Sequence, residues 1–464
     1  MIRAWPARPI WNMSAQNIVS AFFGRLGRLP QRWVLASGAA LFFAYFTSSS
    51  QEFHAARSHD PGKSVLNGDA AGYYIYLPGL FHHGMKMGAQ TDSARLMHGS
   101  GYVLDSIGDR VLTKYTYGTA LFHLPFYLAA ELMRGSGEKD EWSFAHQRAI
   151  SFGGIVYWTL GLLLLGLALH DRWSPSIGIL LLVLACAAFG TNSFYYAFRQ
   201  PGYSHTVSFF LSSLALFAIW GRSPGQAPRP RLMLFVAACG GLVAVRPFDV
   251  VLVAALTGLL VIDHPGTLRS WRAGLALIGA IIVFMVPQMV YWKYGYGHFI
   301  YYSYGDEGFT HWAHPFLSEV LLSPVSGLLP YAPVLFFVPF GLFALWTLSR
   351  AIFLVLLTIL CAVIYAFASW HAWHFGCGYG MRPFVQYVPL TAIALLALFM
   401  WLRSRATPLL HGLVPIVALV CFVNYRSMIE YPVCYRGGVW EWVPYGENMI
   451  EAFFGGVDFN MTRR

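Results

Sequence analysis

Long apolar stretches recur along almost the whole chain, and they constrain its fold more than any other feature. A helix needs about 20 mainly apolar residues to cross a bilayer. Stretches of roughly that length occupy residues 33–49, 148–169, 177–194, 204–221, 232–246, 248–262, 273–292, 331–348, 351–368, 385–402 and 408–424. Only 11% of the 464 residues are charged, against about 25% in ordinary soluble proteins. The sequence therefore predicts an all-α polytopic membrane protein with about eleven transmembrane helices.

The basic residues predict how these helices are oriented. The net charge is +10, but Lys and Arg lie in short loops between apolar stretches rather than in one patch, which argues against a nucleic-acid partner. Cytoplasmic loops are rich in Lys and Arg. We therefore place residues 1–32 inside, as an amphipathic N-terminus with an interfacial helix at 10–28 and no removable signal peptide. The loop 222–231 also lies inside, and the tail 425–464 lies outside.

One apolar segment, residues 115–133, does not fit this count. If it crossed the membrane, the arginine-rich loop 222–231 would face outside. We therefore interpret 115–133 as a helix that lies in or dips into the outer interface, within one external loop at 50–146. A second external loop at 293–330 completes a single integral membrane domain, 1–464.

Asp69 is the first candidate site residue. It lies in VLNGDAAGYYIYLPGL, after an Asn-Gly turn and before what is interpreted as a short juxtamembrane amphipathic helix. A carboxylate that caps such a helix is fixed in position, and apolar surroundings raise its basicity. Asp69 is either a general base or an ordinary solvated loop acid.

Further polar residues collect in the predicted external segments. Lys114 opens the 115–133 segment and is either a phosphate-binding cation or a lysine that reaches the headgroup layer. Asp306 and Glu307 lie among aromatic residues, an arrangement that suits a polyol ligand. The remaining candidates are Arg199, His205, Arg246, His371, His374 and Arg382.

His371 and His374 have a spacing that can bind metal on a helix. Glycines at 376, 378 and 380 indicate irregular backbone instead, so no metal site is predicted, although a divalent cation is not excluded. Of six cysteines, only Cys377 and Cys434 lie in predicted external segments, where a disulfide can form.

Nucleotide-binding, GxSxG and metalloprotease motifs are absent from the sequence. A transfer reaction on the outer face has no cytosolic nucleotide donor, so its donor must be carried by a lipid.

The chain resembles the bacterial GT-C glycosyltransferases related to dolichyl-phosphate-mannose protein mannosyltransferases and lipid A aminoarabinose transferases. The likeness covers most of residues 33–400. It consists of an early Asp69 in a long external loop, Lys114, the Arg199–His205 loop, the Arg246-Pro247 turn, the stretch from YGDEGF to LLSPVSGLLPYAPVL, and WHFGCGYGMRPF. Lys114 is followed by Tyr-Thr rather than the Pro-Pro of the aminoarabinose branch, and no large C-terminal soluble domain follows.

This resemblance implies an inverting transfer from a polyprenyl-phosphate sugar to a lipid, glycan or protein acceptor, at the periplasmic face of a bacterial cytoplasmic membrane. Asp69 would be the base, and Lys114, Arg199 and Arg382 would contact the donor phosphate. The expected substrate-binding residues are Tyr73, Tyr74, His205, Arg246, Asp306, Glu307, His371 and His374. Two other classes stay open: an O-antigen polymerase or ligase, and a transporter of lipid-linked glycans.

Overall fold

The computed structural model describes residues 31–55, 64–86, 104–133, 140–222, 230–267, 271–432 and 434–454. The predicted interfacial helix at 10–28 and the last ten residues of the tail lie outside these ranges. The described chain is predominantly helical, and five of its helices are long and apolar enough to cross a membrane. The protein is therefore an all-α membrane protein.

The helices follow one another with a single hairpin among them. The first part of the chain contains α1 (Gln31–Ala55), α2 (Asp69–Tyr74), α3 (Tyr76–Phe81), β1 (Leu104–Ile107), β2 (Arg110–Thr113), α4 (Gly118–Met133), α5 (Phe144–Trp173), α6 (Ile177–Phe189), α7 (Ser193–Phe198), α8 (His205–Trp220) and α9 (Leu232–Val245). The second part contains α10 (Val250–Asp263), α11 (Trp271–Tyr296), α12 (Leu317–Leu322), α13 (Leu328–Tyr331), α14 (Val338–Leu348), α15 (Arg350–Ala368), α16 (Val388–Arg405), α17 (Thr407–Glu430) and α18 (Val443–Phe454). Short 3₁₀ turns at Pro247–Asp249, Pro333–Phe337 and Arg382–Tyr387 precede α10, α14 and α16.

Each apolar stretch of the sequence forms a helix, but the helices differ in how far they are enclosed. The five long apolar segments are Phe144–Trp173, Trp271–Tyr296, Arg350–Ala368, Arg382–Arg405 and Thr407–Glu430. The most apolar part of Arg382–Arg405 is 89% buried, whereas that of Trp271–Tyr296 is 11% buried. Helix α16 therefore lies in the centre of the bundle, and α11 presents most of its surface outward, where lipid would cover it.

One end of the bundle is held together by ion pairs between helix termini. Arg32 at the start of α1 contacts Asp171 near the end of α5 at 2.5 Å, and the backbone N–H of Arg222, after α8, donates to the same carboxylate. Arg172 contacts Asp263 at the end of α10 at 2.9 Å. We call this the Arg32 end. It gathers loops that the arginine distribution places on one side of the membrane.

Helix α4 packs against the half of α5 that begins at Phe144. Tyr157 donates to the carbonyl of Phe122 at 2.7 Å, and His146, one turn into α5, contacts Glu131 at 2.8 Å. Since α5 continues to Trp173 at the Arg32 end, α4 stops about halfway along it. Gly118 begins α4 where an added Cβ would lie 2.3 Å from the backbone of Ala244, so this close approach requires glycine.

The segment around Asp69 differs from the expected amphipathic helix. It forms two short helices, α2 and α3, whose residues from Asp69 to Gly79 are buried. They are covered partly by the unpredicted β1–β2 hairpin, in which Ile107 pairs with Arg110 across a turn at Gly108, where φ is 64°. Lys114 follows β2 and precedes α4 by four positions, so it does not open that helix as expected.

Candidate functional site

Asp69 is the first residue of α2, not the cap expected from the sequence. Gly68 precedes it with a φ of 58°, a conformation that favours glycine. The Asp69 side chain is 9% exposed and contacts Arg382 Nη2 at 2.8 Å. A buried carboxylate with a bound guanidinium therefore lies at the centre of the site. We call the end of the bundle that contains this site the Asp69 end.

Arg382 is held by an irregular, well-bonded segment. Gly376, Gly378 and Gly380 all have positive φ, and a Cβ on Gly380 would lie 2.3 Å from Tyr331. The amide of Asn192 donates to the carbonyls of Tyr379 and Met381, both at 3.2 Å. These bonds fix the backbone immediately before Arg382.

The predicted disulfide is present in the same segment. Cys377 pairs with Cys434, with Cα atoms 4.6 Å apart. Tyr379 also donates to Asn424 on α17 at 2.8 Å. The segment before Arg382 is thus tied both to α17 and to the chain that follows it.

Three tyrosines surround Asp69. The rings of Tyr73 and Tyr115 lie 4.4 Å apart, and those of Tyr115 and Tyr304 lie 6.0 Å apart. Burial raises the pKa of all three hydroxyls, and the Asp69 charge acts in the same direction. These hydroxyls stay protonated at neutral pH, so they can donate hydrogen bonds but cannot serve as the base. Tyr115 and Tyr304 were not predicted, although each lies beside a predicted residue, Lys114 or Asp306.

Lys114 and Glu307, expected to bind different parts of a substrate, contact each other at 2.6 Å. The Lys114 ammonium lies 5.6 Å and 5.5 Å from the ring centres of Tyr115 and Tyr304. The Ser303 hydroxyl donates to the backbone carbonyl of Lys114. Because the charges of Asp69 and Glu307 both act on the Tyr304 hydroxyl, the Lys114–Glu307 pair borders the same site. Asp306 points to solvent.

Arg246 and His205 form the deeper side of the site. Arg246 Nη1 lies 3.0 Å from His205 Nδ1, and the Arg246 charge acts on the hydroxyls of both Tyr73 and Tyr304. Behind them, the fully buried Asp249 accepts hydrogen bonds from Ser208 and Gln386. Asp249 was not named as a site residue, although the stretch Arg-Pro-Phe-Asp contains both charges.

Two predicted site residues have other roles. Arg199, expected at the donor phosphate, donates from Nη1 to the carbonyls of Met428, Ile429 and Tyr431. It therefore stabilises the C-terminal end of α17, where orphan carbonyls attract a cation. Tyr74, expected at the substrate, donates to the carbonyl of Glu141 at 2.6 Å and packs on Trp142.

The two remaining predicted residues, His371 and His374, lie on the outer edge. Burial lowers the pKa of His374, and the charges of Arg382 and His371 lower it further, so this imidazole is neutral at neutral pH. His374 Nδ1 accepts from the backbone N–H of Gly376. Across the described ranges, no group of three or more His, Cys, Asp or Glu side chains is arranged to hold a metal ion.

The site combines one buried carboxylate with several cations. Asp69 and Glu307 supply two negative charges, and Lys114, Arg246 and Arg382 supply three positive ones. Such a group of side chains can remove a proton from a hydroxyl and stabilise an anion that forms nearby. No family model, curated protein or solved structure matches this chain. Its function is therefore inferred from the arrangement of these side chains.

Proposed function

We propose that this protein is an integral membrane glycosyltransferase of GT-C type, acting at the outer face of a bacterial cytoplasmic membrane. It would move a sugar from a polyprenyl-phosphate donor to a lipid, glycan or protein hydroxyl, with inversion at the anomeric carbon. The observation that carries this proposal is the buried Asp69 carboxylate with Arg382 at 2.8 Å and two further cations around the same tyrosines.

The proposed reaction needs one base and no general acid. Asp69 takes the proton from the acceptor hydroxyl as its oxygen bonds to the anomeric carbon. The bond from that carbon to the phosphate oxygen breaks, and the electron pair leaves on polyprenyl phosphate. Lys114, Arg246 and Arg382 are placed to stabilise the charge on this leaving group, an effect that is commonly the largest contribution to such catalysis.

The outward orientation has support beyond the arginine count. Disulfides persist in oxidising compartments, and the Cys377–Cys434 bond lies in the segment that presents Arg382. Helix α4 runs alongside about half of α5, which suits a helix that dips into the outer interface. Both observations favour an arrangement in which the Asp69 end faces outside and carries the external loops 50–146 and 293–330.

The two alternatives predict different chemistry. A transporter of lipid-linked glycans needs polar groups along a path through the bilayer. The buried network of His205, Asp249 and Gln386 instead lies at the first residue of α8 and in the 3₁₀ turns that precede α10 and α16. An O-antigen polymerase or ligase fits the cations at this end, and it would be recognised by use of a diphosphate-linked glycan.

The test is a transfer assay with purified protein, a polyprenyl-phosphate sugar and candidate acceptors, together with mass spectrometry of surface glycans from cells with and without the protein. Asp69→Asn keeps the size of the side chain but is a far weaker proton acceptor, so we expect turnover to fall by about two to four orders of magnitude. Near-normal turnover by Asp69→Asn would contradict the assignment of the base. Transport of intact lipid-linked glycan without transfer would contradict the proposed activity.

A further inference from the structure

Both carboxylates that border the site are already bound by a cation. Arg382 contacts Asp69 at 2.8 Å, and Lys114 contacts Glu307 at 2.6 Å. The Asp69–Arg382 pair is the more enclosed of the two, with side chains 9% and 18% exposed, against 35% for Glu307. In the state described by the structure, the proposed base is therefore held by a guanidinium.

This arrangement conflicts with a base that is ready at all times. A bound guanidinium stabilises the ionised form of a carboxylate and so opposes its protonation. It also binds Oδ2, one of the two carboxylate oxygens that could receive the proton. Asp69 can take a proton efficiently only after Arg382 has found another partner.

A phosphate is a suitable replacement partner. Guanidinium groups bind phosphate and carboxylate through the same pair of N–H donors. The backbone at Arg382 is fixed by Asn192 and the disulfide, and Asp69 is fixed at the start of α2. The exchange therefore needs only a rotation of the long arginine side chain.

We propose that the donor phosphate displaces Asp69 from Arg382, so that the base is released only when the donor is bound. Arg382 would thus bind the donor phosphate and also couple donor binding to activation of the base, and the donor would have to bind before the acceptor reacts. This inference rests on the proposed function. Charged and titratable groups surround this pair from several elements: Arg246, Glu307, His205, His374, Tyr73, Tyr115, Tyr196, Tyr203 and Tyr304.

The experiment measures labelling of Asp69 by a carbodiimide and an amine, quantified by peptide mass spectrometry. Carbodiimides activate the protonated carboxyl group, so an arginine-bound carboxylate reacts slowly. The full-length protein in nanodiscs is compared with and without polyprenyl monophosphate, the sugar-free leaving group. Asp171, which pairs with Arg32 at the opposite end, is the internal control.

We expect polyprenyl monophosphate to raise Asp69 labelling by about tenfold or more, since a carboxyl oxygen released from a charge-assisted hydrogen bond becomes available to the reagent. Labelling of Asp171 should not change. Arg382→Gln should raise Asp69 labelling without any lipid. Arg382→Lys, which keeps a cation, should resemble the wild type, and melting curves will show which variants are folded.

Shielding by the lipid is controlled by adding it to Arg382→Gln as well. If exchange occurs, wild type and Arg382→Gln become equally reactive when both are saturated with lipid. Wild-type labelling that stays tenfold below the saturated variant would overturn the exchange while leaving the proposed transferase intact. If direct binding measurements detect no polyprenyl monophosphate on the wild-type protein, the proposed donor itself is wrong.

Discussion

At the scale of single residues, the two ion pairs of the site differ in what their loss should do. Glu307 is 35% exposed, and a pair that water reaches adds little to stability. Asp69 and Arg382 are enclosed, so each needs the other or a ligand. The chemistry of the site should therefore depend strongly on Asp69 and weakly on Glu307.

Lys114 and Glu307 give the first prediction. Lys114→Met removes a charge-assisted contact to phosphate, so we expect the KM for the donor to rise by about tenfold or more. Glu307→Gln leaves Lys114 without its carboxylate and should change donor KM by less than about threefold. Steady-state kinetics with the donor varied will measure both, with the exposed Asp306→Asn as the matched control. If Glu307→Gln abolishes turnover and Asp69→Asn does not, the base is Glu307.

Substitution of Arg199 should change the stability of the protein and not its binding of the donor. Its guanidinium binds carbonyls at the end of α17, so Arg199→Met should destabilise the folded protein by about 1–3 kcal/mol. The KM for the donor should stay unchanged. Thermal unfolding and kinetics on the same preparation will separate the two effects. An unchanged melting temperature with a raised donor KM would indicate that Arg199 contacts the donor phosphate.

At the scale of elements, hydropathy located the apolar helices well and the external loops poorly. The stretches 148–169 and 408–424, for example, fall within α5 and α17, because helical hydrogen bonding is required of any chain inside a bilayer. The loops face no such requirement. The buried helices α2 and α3 and the β1–β2 hairpin depend on packing between distant segments, which local periodicity does not encode.

The site was predictable only as a set of separate residues. The arginine distribution assigned the loops of the site to one end of the bundle. Seven of the predicted residues do lie around Asp69: Tyr73, Lys114, His205, Arg246, Glu307, His374 and Arg382. The sequence could not reveal which of them pair, since Asp69 and Arg382 come from opposite ends of the chain. Arg199 binds the carbonyls at the end of α17 instead, and a cation at a helix end and a cation at a phosphate look alike in sequence.

The Cys377–Cys434 disulfide gives the prediction for an element. It ties the segment before Arg382 to the chain between α17 and α18, so the double variant Cys377→Ser/Cys434→Ser should loosen both. We expect turnover to fall about tenfold, since small misplacements of a site residue are costly. Trypsin should also cleave faster after the exposed Arg436. Reductant should reproduce both effects in the wild type.

The control for the disulfide is Cys361→Ser, which removes an exposed free thiol on α15 and should change neither turnover nor cleavage. Equal turnover of the double variant and the wild type would mean that the Asn192 and Tyr379 hydrogen bonds position Arg382 without help from the disulfide.

At the scale of the whole molecule, the charges divide into two ends with different organisation. The Arg32 end contains ion pairs between helix termini, such as Arg172 with Asp263, which connect helices directly. The Asp69 end gathers the Asp69–Arg382 and Lys114–Glu307 pairs among tyrosines. An enzyme that acts on one side of a membrane carries its site at one end of the bundle. The proposed function therefore depends on which side of the membrane the Asp69 end faces.

Orientation can be measured by labelling single cysteines with a membrane-impermeant maleimide in intact cells. Asp109 lies in the turn after β1, at the Asp69 end, and Ser404 lies near the end of α16, and both are exposed. Since arginine-rich loops stay in the cytoplasm, Asp109→Cys should be labelled in intact cells and Ser404→Cys only after the cells are opened. The opposite pattern would place Asp69 in the cytoplasm, away from the expected periplasmic donor and acceptor. It would also leave the Cys377–Cys434 bond in a reducing compartment, so both the proposed transfer and the disulfide would then have to be abandoned together.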